Sequence, residues 1–159
     1  MQILPPTRAS HSYVQKIKAP PERVFPLLCP VREADWVPDW DPVAVYSHGG
    51  YAELDCVFVT RTQEDEAVWM ITRYEPEAGR VEMVKVTPGV TACQLRITLT
   101  ASSQGGTDAE VTYTHTALGP RGEAFVAGFT EAYYHQFMTG WEKALNHYLE
   151  TGELISAAD

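Results

Sequence analysis

The longest periodic pattern in the chain runs from Gly122 to Thr151 and predicts one long amphipathic helix. The residues on its apolar side are Val126, Phe129, Tyr133, Phe137, Gly140, Ala144 and Tyr148, with Tyr134 and Trp141 at the edge. Those on the opposite side are Glu131, His135, Glu142 and Asn146. Gly152 suits a left-handed C-terminal cap. At about 1.5 Å per residue the helix is roughly 40 Å long, so we expect a sheet to cover its apolar side.

The apolar side of this predicted helix mixes small residues with aromatic residues that carry a polar group. The small ones are Gly128, Ala132, Gly140 and Ala144, and the aromatic ones are Tyr133, Trp141 and Tyr148. Two interpretations remain open at this point. Either the small residues leave a cavity under the helix, with aromatic walls that orient a ligand, or they allow close packing on the sheet.

Upstream of the helix, apolar and polar residues alternate with period two, which is typical of antiparallel strands joined by short turns. A first strand is predicted over 11–18, and six more over 43–47, 53–61, 67–74, 80–87, 90–101 and 109–118. After the first strand, Pro21 begins a short helix that ends before Pro30, and a second short helix is predicted over 32–36. This order of elements predicts an α+β fold with seven antiparallel strands.

The alternation also assigns the inner face of several strands. The predicted inward residues are Cys56, Phe58 and Thr60, then Cys93, Leu95, Ile97 and Leu99, and finally Val111, Tyr113, His115 and Ala117. The strand over 67–74 stays ambiguous. Its inner face is either that of Trp69, Ile71 and Arg73 or that of Val68, Met70 and Tyr74.

Composition narrows the possible functions. A length of 159 residues with 45% hydrophobic content fits a single domain over 1–159, with a core over about 10–154. The net charge of −9, without any run of Lys or Arg, argues against nucleic acid and anionic membrane surfaces as partners. No stretch has the length and apolarity of a signal peptide or a membrane span, so a cytoplasmic protein is expected. Whether it forms a homodimer stays open.

Metal, cofactor and disulfide chemistry are not predicted. Cys29, Cys56 and Cys93 are widely spaced and form no Cys-x-x-Cys pair, so we expect them to be small core residues. The acidic residues in the loop over 35–42 lack the glycine and terminal glutamate of a calcium loop. The sequence has no His-Glu metal pattern, no nucleophile elbow and no glycine-rich phosphate loop.

The stretch over 17–25, with Ala19-Pro20 followed by Val24-Phe25, resembles the "A-P-x-x-x-V-F" junction between strand and helix in the START-like superfamily. This superfamily is also called SRPBCC, or polyketide cyclase/lipid transport, and includes birch-allergen-like proteins. The stretches over 111–118 and 148–152, with Gly122, are similar to a poorly characterised branch of it. The resemblance implies a helix-grip fold, with the seven-stranded sheet wrapped around the C-terminal helix and a hydrophobic cavity between them.

The expected function is therefore binding or transport of a hydrophobic or aromatic small molecule of lipid or polyketide type. The expected ligand-binding residues are Trp36, Trp40, Phe58, Trp69, Leu95, Ile97, Tyr113, His115, Phe129, Tyr133, Phe137 and Trp141. For Trp36 and Trp40 two interpretations remain open: they form the mouth of the cavity, or they plug one end of the sheet as core residues.

Two alternatives remain. A polyketide cyclase or aromatase would need an acid–base pair at the cavity, for which His115 and Tyr113 are the candidate catalytic residues. A cochaperone-like interaction module would use the outer face of the sheet or a loop, and the acidic net charge disfavours the basic docking surface expected for it. The sequence does not decide whether the protein is an enzyme.

Overall fold

A single antiparallel sheet of seven strands forms the body of the protein in the computed structural model, which describes residues 1–156. The strands are β1 (Arg8–Ile17), β2 (Ala44–Tyr46), β3 (Val57–Arg61), β4 (Glu66–Glu75), β5 (Arg80–Thr87), β6 (Thr91–Ala101) and β7 (Thr107–Ala117). Their order across the sheet is β1-β7-β6-β5-β4-β3-β2. Every predicted strand is present, with ends shifted by a few residues. The predicted domain over 1–159 extends beyond the described residues at 157–159.

The helices complete a helix-grip fold, which confirms the predicted fold class. They are α1 (Pro21–Val24), α2 (Pro120–Gly128) and α3 (Glu131–Thr151), with 3-10 helices at Phe25–Leu27, Arg32–Asp35 and Pro76–Ala78. The two short helical segments after β1 agree with the prediction. Pro21 occupies the first position of α1, where its missing N–H costs no hydrogen bond. No helix within residues 1–156 combines the length and apolarity needed to span a membrane.

The prediction of one continuous helix over 122–151 is wrong. Phe129 leaves the helical conformation, with φ −82° and ψ 64°, and separates α2 from α3. Thr130 then caps α3, because its Oγ1 accepts a hydrogen bond from the backbone N–H of Tyr133 at 3.1 Å. The predicted end is correct, since Gly152 is left-handed with φ 76°.

The break changes which side of α3 meets the sheet. The buried residues of α3 are Tyr134, Met138, Ala144 and Leu145. Tyr133 and Phe137, predicted at the centre of the apolar side, are 53% and 42% exposed. Of the predicted small residues, Gly128, Ala132 and Gly140 are exposed, and only Ala144 is buried. Gly128, Ala132 and Gly140 therefore fit neither interpretation, whereas Ala144 packs in the core as the close-packing interpretation predicts.

Two residues predicted on the outer side of the helix contact the sheet edge instead. Glu142 Oε2 accepts from the Lys16 backbone N–H at 2.7 Å. Asn146 Oδ1 accepts from the Lys18 backbone N–H at 2.8 Å, and its Nδ2 donates to the Lys16 carbonyl at 2.9 Å. Because β1 is the outermost strand, these side chains replace the hydrogen bonds that a neighbouring strand would supply.

The ambiguity of the strand over 67–74 has a structural cause. Trp69 and Ile71 point inward and are buried, but the register of β4 on β5 shifts between Ile71 and Arg73. Beyond this β-bulge the faces exchange. Tyr74 packs inward against Phe25, with ring centroids 5.3 Å apart, and Arg73 is exposed. The alternative with Trp69 and Ile71 inward is therefore correct before the bulge, and the alternative with Tyr74 inward is correct after it.

Gly122 fixes the start of α2 against the turn between β5 and β6. A Cβ at this position would overlap the carbonyl group of Val90 and also approach the Cα of Ala117 at 3.1 Å. Only glycine allows the helix backbone to come this close to the turn. Gly122 thus determines where α2 crosses the end of the sheet.

Candidate functional site

A cavity of about 170 Å³ lies between the inner face of the sheet, α3 and the segment that follows the Arg32–Asp35 helix. Five consecutive strands contribute one residue each: Phe58, Trp69, Met83, Leu95 and Tyr113. The remaining lining residues are Phe137 and Trp141 from α3, and Glu33, Val37 and Trp40 from the segment after β1. The wall is therefore almost entirely apolar and aromatic, as expected for a site that binds a small organic molecule.

Strand register explains why the sheet residues converge. Leu95 pairs with Met83 on one side and with Tyr113 on the other, so all three share the inner face. Phe58 pairs with Trp69 in the same way. Because side chains alternate between the two faces of each strand, these register pairs build a continuous floor across five strands.

Two of the three tryptophans of the wall are held by hydrogen bonds to the protein. Trp69 Nε1 donates to Thr60 Oγ1 at 2.9 Å, and Trp40 Nε1 donates to the Pro30 carbonyl at 2.7 Å. Phe58 stacks on Trp69, with ring centroids 5.2 Å apart and an interplanar angle of 13°. Since both indole N–H groups are satisfied, Trp40 and Trp69 offer the cavity their ring surfaces rather than hydrogen-bond donors.

Glu33 brings a carboxyl group into this apolar wall. The side chain is partly exposed, and removal from bulk water raises its pKa to about 8. Tyr113 is the second ionisable group on the wall, and burial, with smaller contributions from Cys93 and Glu33, raises its pKa well above the usual value. Around neutral pH, Glu33 can therefore hold or release a proton, whereas Tyr113 stays protonated.

Seven of the twelve predicted ligand-binding residues line the cavity. They are Trp40, Phe58, Trp69, Leu95, Tyr113, Phe137 and Trp141. Trp36 is fully buried and donates its indole N–H to the Leu27 carbonyl at 3.0 Å, so it is a core plug. Ile97 lies two residues farther along β6, in the core. The plug interpretation therefore fits Trp36, while Trp40 contributes to the cavity wall.

The other predicted residues lie near the junction of α2 and α3, outside the cavity. Phe129 and Tyr133 line a separate surface hollow together with Phe125. His115 points inward and is only 5% exposed, as its strand pattern predicts. It packs between the rings of Phe125 and Phe129, at centroid distances of 4.8 and 4.6 Å. The structure therefore does not bring these three predicted residues into the cavity wall.

The surroundings of His115 make it a poor partner for acid–base chemistry. Burial, together with the charge of Lys85, lowers its pKa to about 4. Its Nε2 lies 3.7 Å from Cys93 Sγ, while its buried Nδ1 has no hydrogen-bond partner within the described residues. The imidazole is neutral at physiological pH. His115 and Tyr113 have neighbouring rings, with centroids 6.0 Å apart, but only Tyr113 reaches the cavity.

Three wall residues were not predicted: Glu33, Val37 and Met83. Met83 could have been found, because it alternates with Glu82 and Val84 on β5 in the same way as Leu95 does on β6. Glu33 and Val37 lie in a short 3-10 helix and an irregular segment, where no periodicity identifies the inner side. Within residues 1–156 no three His, Cys, Asp or Glu residues come together as a metal site.

Sequence comparison identifies the family to which this architecture corresponds. A family model described as polyketide cyclase / dehydrase and lipid transport matches residues 8–146. No curated protein gives a significant match to the chain. The family match covers β1 to β7 and most of α3, and therefore includes every residue of the cavity wall.

Several solved structures share the fold at low sequence identity. Truncated norcoclaurine synthase from Thalictrum flavum has a TM-score of 0.68 at 11% identity, over 95% of this chain and 98% of that one. Ara h 8.0201 has a TM-score of 0.62 at 14% identity, over 91% and 99%. DynU16, from the dynemicin biosynthetic locus, has a TM-score of 0.58 at 22% identity, over 94% and 49%, so this chain spans about half of its length. These similarities show the fold alone.

Proposed function

The chain belongs to the polyketide cyclase / dehydrase and lipid transport family, and we propose that its aromatic cavity binds a small apolar or aromatic molecule. The observation that carries the proposal is the wall itself: six of its ten residues are aromatic, and they come from strands, helix and loop alike. An unfilled space among apolar side chains lowers the stability of a protein core, but it provides a binding site for an apolar ligand.

The size of the cavity restricts the ligand. A cavity of about 150 Å³ holds a benzene-sized molecule. The volume of about 170 Å³ therefore suits a single aromatic ring with a short substituent. A lipid or a polycyclic polyketide would leave most of its length outside this wall. We accordingly favour a one-ring ligand, or the ring-shaped end of a larger one, over a lipid-type molecule.

The polar groups favour binding over the predicted cyclase chemistry. A cyclase that used His115 and Tyr113 would need both groups at the ligand, and His115 lies behind Phe125 and Phe129 instead. A histidine with a pKa of about 4 is also a weak base at neutral pH. The proposal therefore assigns no catalytic role to this pair.

The test compares two valines in the segment between β1 and β3. Val37 lines the cavity and is partly buried, so Val37→Phe fills part of the open space from the irregular segment before β2 rather than from a strand. Val43 lies in the same segment, but its side chain is exposed and outside the wall. Val43→Phe is therefore the matched control.

Calorimetric titration with ethylbenzene gives the readout. We expect the unmodified protein and Val43→Phe to bind ethylbenzene equally, and Val37→Phe to bind it at least about tenfold more weakly, because the added ring occupies the same volume. Equal binding by all three proteins would place the site elsewhere. Absence of binding by the unmodified protein would reject the cavity as a site for one-ring ligands.

A further inference from the structure

Glu33 is the only carboxyl-bearing residue among the described residues that line the cavity. The other nine are Val37, Met83, Leu95 and the six aromatic residues Trp40, Phe58, Trp69, Tyr113, Phe137 and Trp141. This arrangement restricts the chemistry of the ligand, since a molecule that fills the cavity must contact both the Glu33 carboxyl group and the aromatic rings.

The Glu33 carboxyl group has no partner of its own. Within residues 1–156 no hydrogen bond or ion pair reaches its side-chain oxygens. The neighbouring cation, Arg32, is engaged elsewhere: its Nε lies 2.6 Å from Asp35 Oδ2, and its NH2 group lies 3.4 Å from Tyr148 Oη. The fold therefore sets a partly exposed carboxyl group in an apolar wall without supplying a cation to pair with it.

Aromatic surfaces complement a cation in this setting. The face of an indole or phenyl ring carries negative charge density and attracts an ammonium group, most strongly where water is excluded. Trp69 already makes such a contact within the protein, because Lys85 Nζ lies over its ring, 4.7 Å from the centroid. An ammonium group that displaces the Glu33 proton gains a full counter-charge beside such rings, whereas an anionic ligand finds no counter-charge there.

We propose that the cavity takes a ligand with one aromatic ring and an ammonium group, and that Glu33 is its counter-ion. The inference rests on the proposed function, since it names the chemical class of the molecule bound at the same site. The ring lies among Phe58, Trp69 and Leu95, and the ammonium group lies between Glu33 and the neighbouring aromatic faces.

Binding of an ammonium ligand should also release a proton from Glu33, which gives a second way to test the proposal. With the cavity empty, Glu33 has a pKa of about 8 and is mostly protonated at pH 7. An ammonium group beside it favours the carboxylate, so binding releases a proton. Tyr113 faces the same space from β7 and does not contribute, because its raised pKa keeps it protonated.

The experiment uses three probes of similar shape at pH 7: 2-phenylethylammonium, uncharged n-propylbenzene and anionic 3-phenylpropionate. In the unmodified protein we expect the ammonium probe to bind about tenfold more tightly than n-propylbenzene, and 3-phenylpropionate to bind most weakly. Glu33→Gln keeps the side-chain shape and should abolish the preference while n-propylbenzene still binds. Glu77→Gln makes the same side-chain replacement at an exposed site outside the cavity and should retain the preference.

The outcomes separate the two proposals. If n-propylbenzene binds as tightly as the ammonium probe, or 3-phenylpropionate binds most tightly, the ammonium class is wrong and cavity binding stands. If no probe binds, both proposals fail. Should Glu33→Gln not fold, titration of the unmodified protein in two buffers of different ionisation enthalpy decides: release of close to one proton with the ammonium probe supports the inference, and no release overturns it.

Discussion

Trp36 stacks on Trp141, with ring centroids 5.5 Å apart and planes inclined by 26°. Trp36 is fully buried, whereas Trp141 lines the cavity. The stack therefore packs the segment that carries Trp40 against α3, and both of these elements contribute residues to the cavity wall. Packing in this part of the core and the shape of the site are not independent.

We expect Trp36→Ala to lower the free energy of unfolding by about 3–5 kcal/mol, because it removes a large buried side chain and leaves a void. Trp36→Phe should cost less, since it keeps an aromatic ring and loses chiefly the hydrogen bond to the Leu27 carbonyl. Chemical denaturation measures both changes. A loss below about 1 kcal/mol for Trp36→Ala would contradict the role of Trp36 as a plug.

Two glycines of α2 should respond in opposite ways to alanine. Gly122→Ala should destabilise the protein by about 1–3 kcal/mol, because the new Cβ overlaps the Val90 carbonyl group. Gly128→Ala meets no atom within 4 Å and should be neutral or stabilising by up to about 1 kcal/mol, since alanine favours helix. Thermal unfolding of the two variants makes the comparison. Similar losses would mean that the contact with the turn does not fix α2.

Glu33 should make the protein less stable as the pH rises. Its pKa is about 8 in the folded state and 4.5 as the ordinary value, so the folded state holds a proton between these values that the unfolded state has lost. The free energy of unfolding therefore falls across this window. Relative to Glu33→Gln, the unmodified protein should lose stability between pH 5 and pH 8. A constant difference would show that Glu33 titrates normally.

His115 should have the opposite effect at lower pH. Its folded pKa of about 4 lies below the ordinary 6.5, so the unfolded state binds the proton first as the pH falls. Its contribution to stability is complete above about 6.5 and is lost towards 4, by at most about 1.4 kcal/mol per pH unit. Denaturation curves of the unmodified protein and His115→Gln at pH 7 and 5 test this. Titration of the assigned His115 imidazole NMR signal near pH 6.5 would contradict it.

The sheet could be predicted because each strand repeats one signal many times. In β6, Leu95 and Ile97 alternate with the polar residues Gln94, Arg96 and Thr98, so the inner face follows from the sequence alone. The helical region over 122–151 could be predicted, but neither the break at Phe129 nor the side of α3 that faces the sheet could. The cap at Thr130 depends on one hydroxyl group and one backbone N–H, and the apolar residues Val126 and Phe137 continue the same periodicity on both sides of the break.

The site was predictable only where it is built from regular strands or aromatic residues. Phe58 and Tyr113 follow from alternation, and Trp40 and Trp141 from their size and amphipathic character. The position of Glu33 in the wall could not be predicted. Glu33 lies in a polar 3-10 helix, and its contact with the cavity depends on tertiary packing. For the same reason, alternation placed His115 on the inner face correctly but could not reveal that Phe125 and Phe129 cover it.

The side chains of Glu142 and Asn146 also protect the edge of the sheet against pairing with a strand of a second molecule. The outermost strand of an open sheet is a template onto which another chain can add by backbone pairing. At the end of β1, Lys16 and Lys18 already use their backbone groups within the molecule. A strand arriving from a second copy would first have to displace three hydrogen bonds, so this stretch of the border resists edge-to-edge aggregation.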